Sequence, residues 1–236
     1  MSIRKLGGAL AGVAAMATMS ALTVTGAQAA TPAGAHKAAA TCSVTVHLQP
    51  RVSIAKSATK VPVKLTGCNG TLVVAVAQLL TSRNKFWDSL GWDDTHRTSV
   101  TGFKISDAPK PGTYKIGAEG GSVEGGAEIG FTNAPTTQVK YGTRAAISTT
   151  RKSSKVTVST KLSRYTSGGF KAYPHVKVGF QVRARGTKTW KTIGFSKTSS
   201  TGRASIKHTD KHKAYYRVFS TSTGSYWAAT SGSSLR

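Results

Sequence analysis

Between His175 and His208 the chain reads HVKVGFQVRARGTKTWKTIGFSKTSSTGRASIKH, and its first strand-length stretch is apolar at every second position. Val176, Val178, Phe180 and Val182 share one parity, while Lys177, Gly179, Gln181 and Arg183 share the other. A period of two puts alternate side chains on opposite faces of an extended backbone, so one face meets a core and the other meets water. A Gly-containing turn, a strand bearing Trp190, a Ser/Thr/Gly turn and a shorter third strand follow. That order predicts a β-meander.

The same rhythm runs through the rest. Val44, Val46 and Leu48 alternate with polar residues, Pro50 ends that strand, and Val61, Val63 and Leu65 repeat the pattern before the Asn69-Gly70 turn. Residues 72–80 are nearly continuously apolar and β-branched, which predicts a central strand. Strands restart at Val100, Phe103 and Ile105 and at Tyr114 and Ile116, and residues 117–130 read as a Gly/Glu loop or edge hairpin. Residues 84–97 break the period with Phe86, Trp87, Trp92 and three aspartates, so a long aromatic loop is expected there. In the second half, strands are expected over residues 144–149, 155–162, 176–183, 189–195, 203–207, 215–220 and 226–230. Short strands about every ten residues with Gly/Pro turns predict an all-β fold of two tandem immunoglobulin-like β-sandwiches, over residues 41–140 and 141–236.

The first residues address the chain. Arg4 and Lys5 precede an apolar, Ala-rich run over residues 6–24, and Ala27-Gln28-Ala29 has the small-x-small cleavage pattern. A cleaved signal peptide over residues 1–29 is predicted, followed by a flexible leader over residues 30–40. The protein is therefore expected to be secreted, with no later run long enough to span a bilayer. Its two cysteines, Cys42 and Cys68, are expected to form one disulfide in that oxidising compartment.

Charge then narrows the partners. The 33 Lys and Arg outnumber the 8 Asp and Glu, for a formal net charge of +25. From residue 141 onward there are 19 Lys and Arg against Asp210 alone, a net +18; residues 41–140 carry 11 against 7, a net +4. A surface this basic attracts polyanions. An anionic extracellular polymer or surface is the expected partner: a cell-wall polymer, extracellular nucleic acid or an acidic polysaccharide. Attachment to the producing cell's own surface would be non-covalent.

The second half also resembles a known group. Trp190-Lys191-Thr192, the run Thr198 to Ser205, Tyr215 to Phe219 and Gly224 to Ser231 look like the Ig-like repeats of exported actinobacterial proteins. The resemblance covers about the last 90 residues and lies in scaffold positions. It implies fold and export, not chemistry. The first half is similar in arrangement to the companion Ig-like domain that can precede such a repeat.

Lys177, Arg183, Arg185, Lys188, Lys191 and Arg217 are the anion-binding candidates, because clustered Lys and Arg neutralise phosphates and carboxylates and Arg forks fit them. The alternative is a solvated basic face that keeps the protein soluble. Trp190 is the stacking candidate: if Ile193 and Phe195 face inward, parity turns it outward beside the basic strand. A sandwich core is the commoner place for such a Trp, and a bulge near Gly186 would put it there. Tyr216 and Trp227 are expected to be packing residues.

No catalytic template fits. The chain lacks G-x-S-x-G, H-E-x-x-H and the P-loop pattern, and Ser57-Ala58-Thr59-Lys60 stands without the partner motifs of an S-x-x-K enzyme. A non-enzymatic binding, adhesion or structural role without cofactor or metal is therefore expected. The rivals are a small hydrolase built around Asp88, Trp92, Asp93, Asp94 and His96, and a cationic toxin or inhibitor acting on a protein. His208 and His212 are read as a solvated turn, and the aspartates of residues 88–94 lack the Gly and Glu positions of an EF-hand.

Overall fold

The computed structural model describes residues 42–236. The expected signal peptide over residues 1–29 and leader over residues 30–40 lie outside the described residues.

Nine strands make the first sandwich. They are β1 (Cys42–Leu48), β2 (Arg51–Ile54), β3 (Ala58–Gly67), β4 (Leu72–Thr81), β5 (Phe86–Trp92), β6 (Thr98–Lys104), β7 (Gly112–Val123), β8 (Ile129–Phe131) and β9 (Thr136–Tyr141). Two sheets form, ordered β6-β3-β1-β8 and β2-β9-β7-β4-β5. Between β1 and β2 the chain changes sheet at Pro50, whose carbonyl accepts from Gln138 N at 2.9 Å, and β2 then runs parallel to β9. A first strand divided between both sheets, with β4, β7 and β9 packed over β1, β3 and β6, is the immunoglobulin-like arrangement. Val44, Val46, Val61, Val63 and Leu65 from one sheet meet Ala75, Ala77, Leu79, Tyr114 and Ile116 from the other in a single core. Each larger apolar side chain so buried contributes about 2 kcal/mol.

Half of the expected loop over residues 84–97 is a strand, Phe86–Trp92. β5 pairs with β4 from Ala75↔Trp92 to Leu79↔Asp88, with Leu90 and Trp92 buried. Trp92 Nε1 donates to Val63 O at 2.9 Å. Its alternation is masked because a carboxylate, Asp88, stands on the same side as Leu90 and Trp92. Asp88 accepts there from the hydroxyl of Thr101, a fully buried residue, at 2.6 Å.

The disulfide joins Cys42, at the start of β1, to Cys68, just beyond β3, with Cα atoms 5.7 Å apart. It links two neighbouring strands of one sheet rather than the two sheets. Gly67 turns the chain beside it at φ +98°, where a Cβ would meet the Ser43 carbonyl. Arg97 donates to the carbonyls of Gly67 and Cys68 at 2.8 and 2.9 Å.

The second sandwich comprises β10 (Thr143–Lys152), β11 (Lys155–Thr166), β12 (Gly169–Ala172), β13 (Lys177–Ala184), β14 (Lys191–Lys197), β15 (Arg203–Thr209), β16 (Ala214–Ser220), β17 (Ala229–Thr230) and β18 (Ser234–Leu235). One sheet is built on β10 and β11, with β12 and β15 in line along the far side of β11. The other runs β14-β13-β16, with β17 and β18 both on β16. Val156, Val158, Leu162, Phe180, Tyr216 and Val218 fill its core.

Residues 175–208 are therefore not a meander. β13 and β14 form a hairpin, but β15 crosses to the opposite sheet and pairs with β11. The turn between them is pinned inward by Thr198, whose buried hydroxyl donates to Tyr173 O at 2.7 Å and accepts from Val176 N at 3.0 Å. Gly202, at φ +75°, brings its backbone so close to the Leu162 carbonyl that a Cβ would lie 2.4 Å away. Only Gly fits that approach.

The described residues belong to one compact unit, and the sandwiches share a joint. Tyr165 of β11 lies in the first core, and Phe170 of β12 packs against it. Tyr141 N donates to Ser225 O and Trp227 N to Tyr141 O, at 2.9 and 3.0 Å. Lys140 Nζ reaches Thr223 O at 2.6 Å.

Candidate anion-binding face

The outer side of the sheet β14-β13-β16 carries the expected alternation. Val178, Phe180, Tyr216 and Val218 go into the core, which leaves Lys177, Gly179, Gln181, Arg183, Tyr215, Arg217 and Phe219 facing out. Pairing sets Gln181 opposite Arg217 and Arg183 opposite Tyr215. Arg217 Nε donates to Gln181 Oε1 at 2.7 Å, and the Gln181 amide reaches Thr192 Oγ1 at 3.3 Å. This chain of contacts fixes the Arg217 fork.

Trp190 lies outside the core, half-buried on this face. The Arg217 guanidinium carbon is 4.2 Å and that of Arg183 5.0 Å from the Trp190 ring. Arg183 also lies 4.8 Å from the Tyr215 ring, and its buried Nε has no hydrogen-bond partner. Two arginines and two aromatic rings therefore form one cluster. Cation–π contact of this kind is worth about 1 kcal/mol each and stiffens side chains that would otherwise be mobile. It leaves guanidinium N–H groups available to an anion.

Parity fails at one place, and a bulge explains it. The β13–β14 register shifts between Phe180 and Gln181, so Ile193 packs on the core while Phe195 faces out and is 53% exposed. The bulge is in mid-strand rather than near Gly186. Phe195 and Phe219 pack edge-to-face at 6.2 Å over Gly179, and Lys177 Nζ stands 4.4 Å from the Phe195 ring.

Of the expected residues, Lys177, Arg183 and Arg217 share this face with Trp190. Lys177 lies at its opposite end from Arg183, about 20 Å along the strand. Arg185 and Lys188 are exposed in the turn leading to Trp190. Lys191 stands in register with Val182, on the other side of the strand, and so sits at the rim. Gln181, placed here by parity, completes the face with Tyr215, Phe195 and Phe219, which were not singled out by sequence. Alternation in the stretch Tyr215 to Phe219 was the signal for two of them.

Among the described residues the only carboxylate contacts with a Lys, Arg or His side chain are Asp94 with the Arg97 guanidinium and Asp93 with the His96 ring at 3.1 Å, both in the first sandwich. Asp210, the one carboxylate of the second, accepts from the Tyr216 hydroxyl at 3.1 Å and from His212 N at 3.0 Å. The cations of the second sandwich thus have no carboxylate partner among the described residues.

The carboxylates of the first sandwich organise a turn. The Thr95 hydroxyl and backbone N–H and the His96 N–H all donate to Asp93, which holds its carboxyl well below the usual range, the Thr95 hydroxyl contributing most. Arg97 pairs with Asp94 while binding the turn at Cys68. Trp92 is in the core. Among the described residues no three His, Cys, Asp or Glu stand together as metal ligands. His208 ends up in β15, its ring 6.3 Å from that of Tyr216. No helix among the described residues is long and apolar enough to cross a membrane.

No family model matches the chain, and no curated protein matches it in sequence. Among solved structures it is similar to a tetra-tandem repeat in the extending region of a large adhesion protein, at 11% identity and TM-score 0.31, over 83% of this chain and 48% of that one. It is likewise similar to the D00-D0 domain of intimin, at 12% identity and TM-score 0.27, over 81% and 98%. A third is alpha-2-macroglobulin of E. coli in its native conformation, at 8% identity and TM-score 0.39, over 82% and 14%. The chain spans about half the length of the adhesion-protein repeat.

Proposed function

We propose that this chain is a secreted, non-catalytic binding module that holds an anionic extracellular polymer on the outer face of the β14-β13-β16 sheet. The observation that carries this is the Arg183–Trp190–Arg217 cluster: two guanidinium groups fixed on an aromatic ring, without a carboxylate partner, on the face turned to solvent. Lys177 extends the same face, and Arg185 and Lys188 in the turn and Lys191 at the start of β14 form an exposed rim. Long-range attraction brings the polymer in, and the fixed arginine forks then make the close contacts. Export rests on the signal-peptide pattern of residues 1–29.

Retention on immobilised alginate and polyphosphate, followed against salt, tests the proposal. Binding should weaken steeply with salt, and Arg217→Gln should reduce the log–log slope by about one, as expected when one released counterion is removed. Trp190→Ala should weaken binding about three- to tenfold with little change in slope, because it releases the arginines without removing charge. Wild-type protein that fails to bind at low salt, or Arg217→Gln that binds as wild type does, would refute it.

A further inference from the structure

We infer that the second sandwich binds polymer on both of its faces and so bridges two anionic chains; this rests on the function proposed above. The sheet of β10, β11, β12 and β15 carries, on its side away from the core, an open hollow of ≈ 520 Å³ lined by Arg144, Lys161, Lys171, Ser163 and Phe170. Register explains the convergence. Leu162 and Ala145 pair and turn to the core, so the neighbouring pairs Ala146↔Lys161 and Arg144↔Ser163 turn out together. Gly169 turns the hairpin at φ +91° and returns Phe170 beside them, opposite Tyr165, while Lys171, paired with Arg164, has the other parity and meets the hollow only at its edge, by the Gly168 turn.

The hollow repeats the chemistry of the first face. The Arg144 guanidinium carbon lies 3.7 Å from the Phe170 ring centroid, and that ring is held edge-on against Tyr165 at 5.2 Å. No carboxylate lines it. Arg144, Lys161 and Lys171 are exposed, so their charges are available to a ligand. A comparable hollow in the first sandwich, lined by Arg83, Lys85 and Lys110, lies in the half that holds seven of the eight carboxylates. The second sandwich has no such neutralising background.

The two faces of a sandwich point in opposite directions, with sheets about 10 Å apart. One short polymer segment does not lie on both. Each site centres on a compact pair of cations, Arg183 with Arg217 on one face and Arg144 with Lys161 on the other, which suits a flexible linear chain bearing a phosphate or carboxylate on each unit. A single copy occupied on both faces therefore links two chains.

Beads coated with alginate, and separately with inorganic polyphosphate, provide the test with the full chain. Wild type should aggregate both and disperse them again in excess, as expected of a bivalent linker. The triple variant Arg144→Gln, Lys161→Gln, Lys171→Gln should keep its binding to immobilised polymer within about threefold yet fail to aggregate beads. Its melting temperature should match wild type, since all three side chains are exposed. Arg83→Gln, Lys85→Gln, Lys110→Gln removes the same charge from the first sandwich and should aggregate beads as wild type does. Aggregation by the first triple variant, or its loss in the second, overturns the inference. Wild type that binds polymer without aggregating beads overturns bridging alone, whereas failure to bind at all removes the proposed function. Bridging of both coatings supports recognition of charge on a flexible chain, and stronger bridging of duplex DNA than of either overturns that choice of ligand.

Discussion

The indole N–H of Trp227 donates to the carbonyl of Val52 at 2.8 Å, joining two residues 175 positions apart in sequence. The same ring lies 4.0 Å from the Arg51 guanidinium carbon and 5.0 Å from Lys140 Nζ. Trp227 belongs to the second sandwich and all three partners to the first, so this ring couples them. Trp227→Ala should cost about 3 kcal/mol, in line with the loss of a large packed aromatic. In scanning calorimetry the wild type should unfold in one transition and the variant in two. One transition at an unchanged temperature would show that the ring couples nothing.

Gly179 permits the aromatic pair on the binding face. A Cβ there would lie 2.3 Å from two carbons of Phe219. Gly179→Ala must displace Phe219 and with it Phe195, and should destabilise by about 1–3 kcal/mol in urea denaturation. Adding Phe219→Ala should recover part of that loss, because the obstruction is gone. Independent, additive effects would contradict the steric account.

The Cys42–Cys68 bridge closes a loop with a sequence separation of 26. Replacing both cysteines by Ala should lower stability by about 3 kcal/mol, the entropy of a loop this size in the unfolded chain. Because the bridge lies wholly within the first sandwich, joining the ends of β1 and β3, Trp190 fluorescence and polymer retention should survive the change. Denaturation with and without reductant measures the first, and the retention assay the second.

Burial pushes the phenols of Tyr114 and Tyr216 up to about 12, and the Asp210 carboxylate adds to the effect at Tyr216. The neutral phenol is therefore favoured in the folded state relative to the unfolded value of 10.0. The stability this gives is fully present below about pH 10 and is lost as pH rises from there to about 12. Phenolate absorbance from these two tyrosines should appear only together with loss of the β-sheet signal. Tyr216→Phe should lose less stability over that range; an identical decline would assign the alkaline transition elsewhere.

Much of the fold is written in two-residue alternation, and its failures have local causes. The strand over residues 86–92 was hidden by Asp88, a half-buried carboxylate held by the Thr101 hydroxyl and the Ser89 N–H. The expected meander rested on chain order, yet the sheet that β15 joins is decided by Thr198 and Gly202, residues that look like ordinary turn formers. At the site, alternation placed Lys177 and Arg183 together on β13. The position of Trp190 depended on a bulge that leaves no mark in composition, and on Arg217 arriving from β16. The hollow at Arg144 was not legible although β10, β11 and β12 are successive hairpins, because setting Arg144 beside Lys161 and Phe170 needs the exact register of both turns.

Tyr165 belongs by sequence to the second sandwich and by packing to the core of the first. The two halves are thus not interchangeable beads. A recombination event or an expression boundary set near residue 141 would remove a plug from one and leave an apolar ring bare on the other. The unit of inheritance and of engineering is the pair, and grafting the cationic half onto a different neighbour requires carrying a socket for that tyrosine along with it.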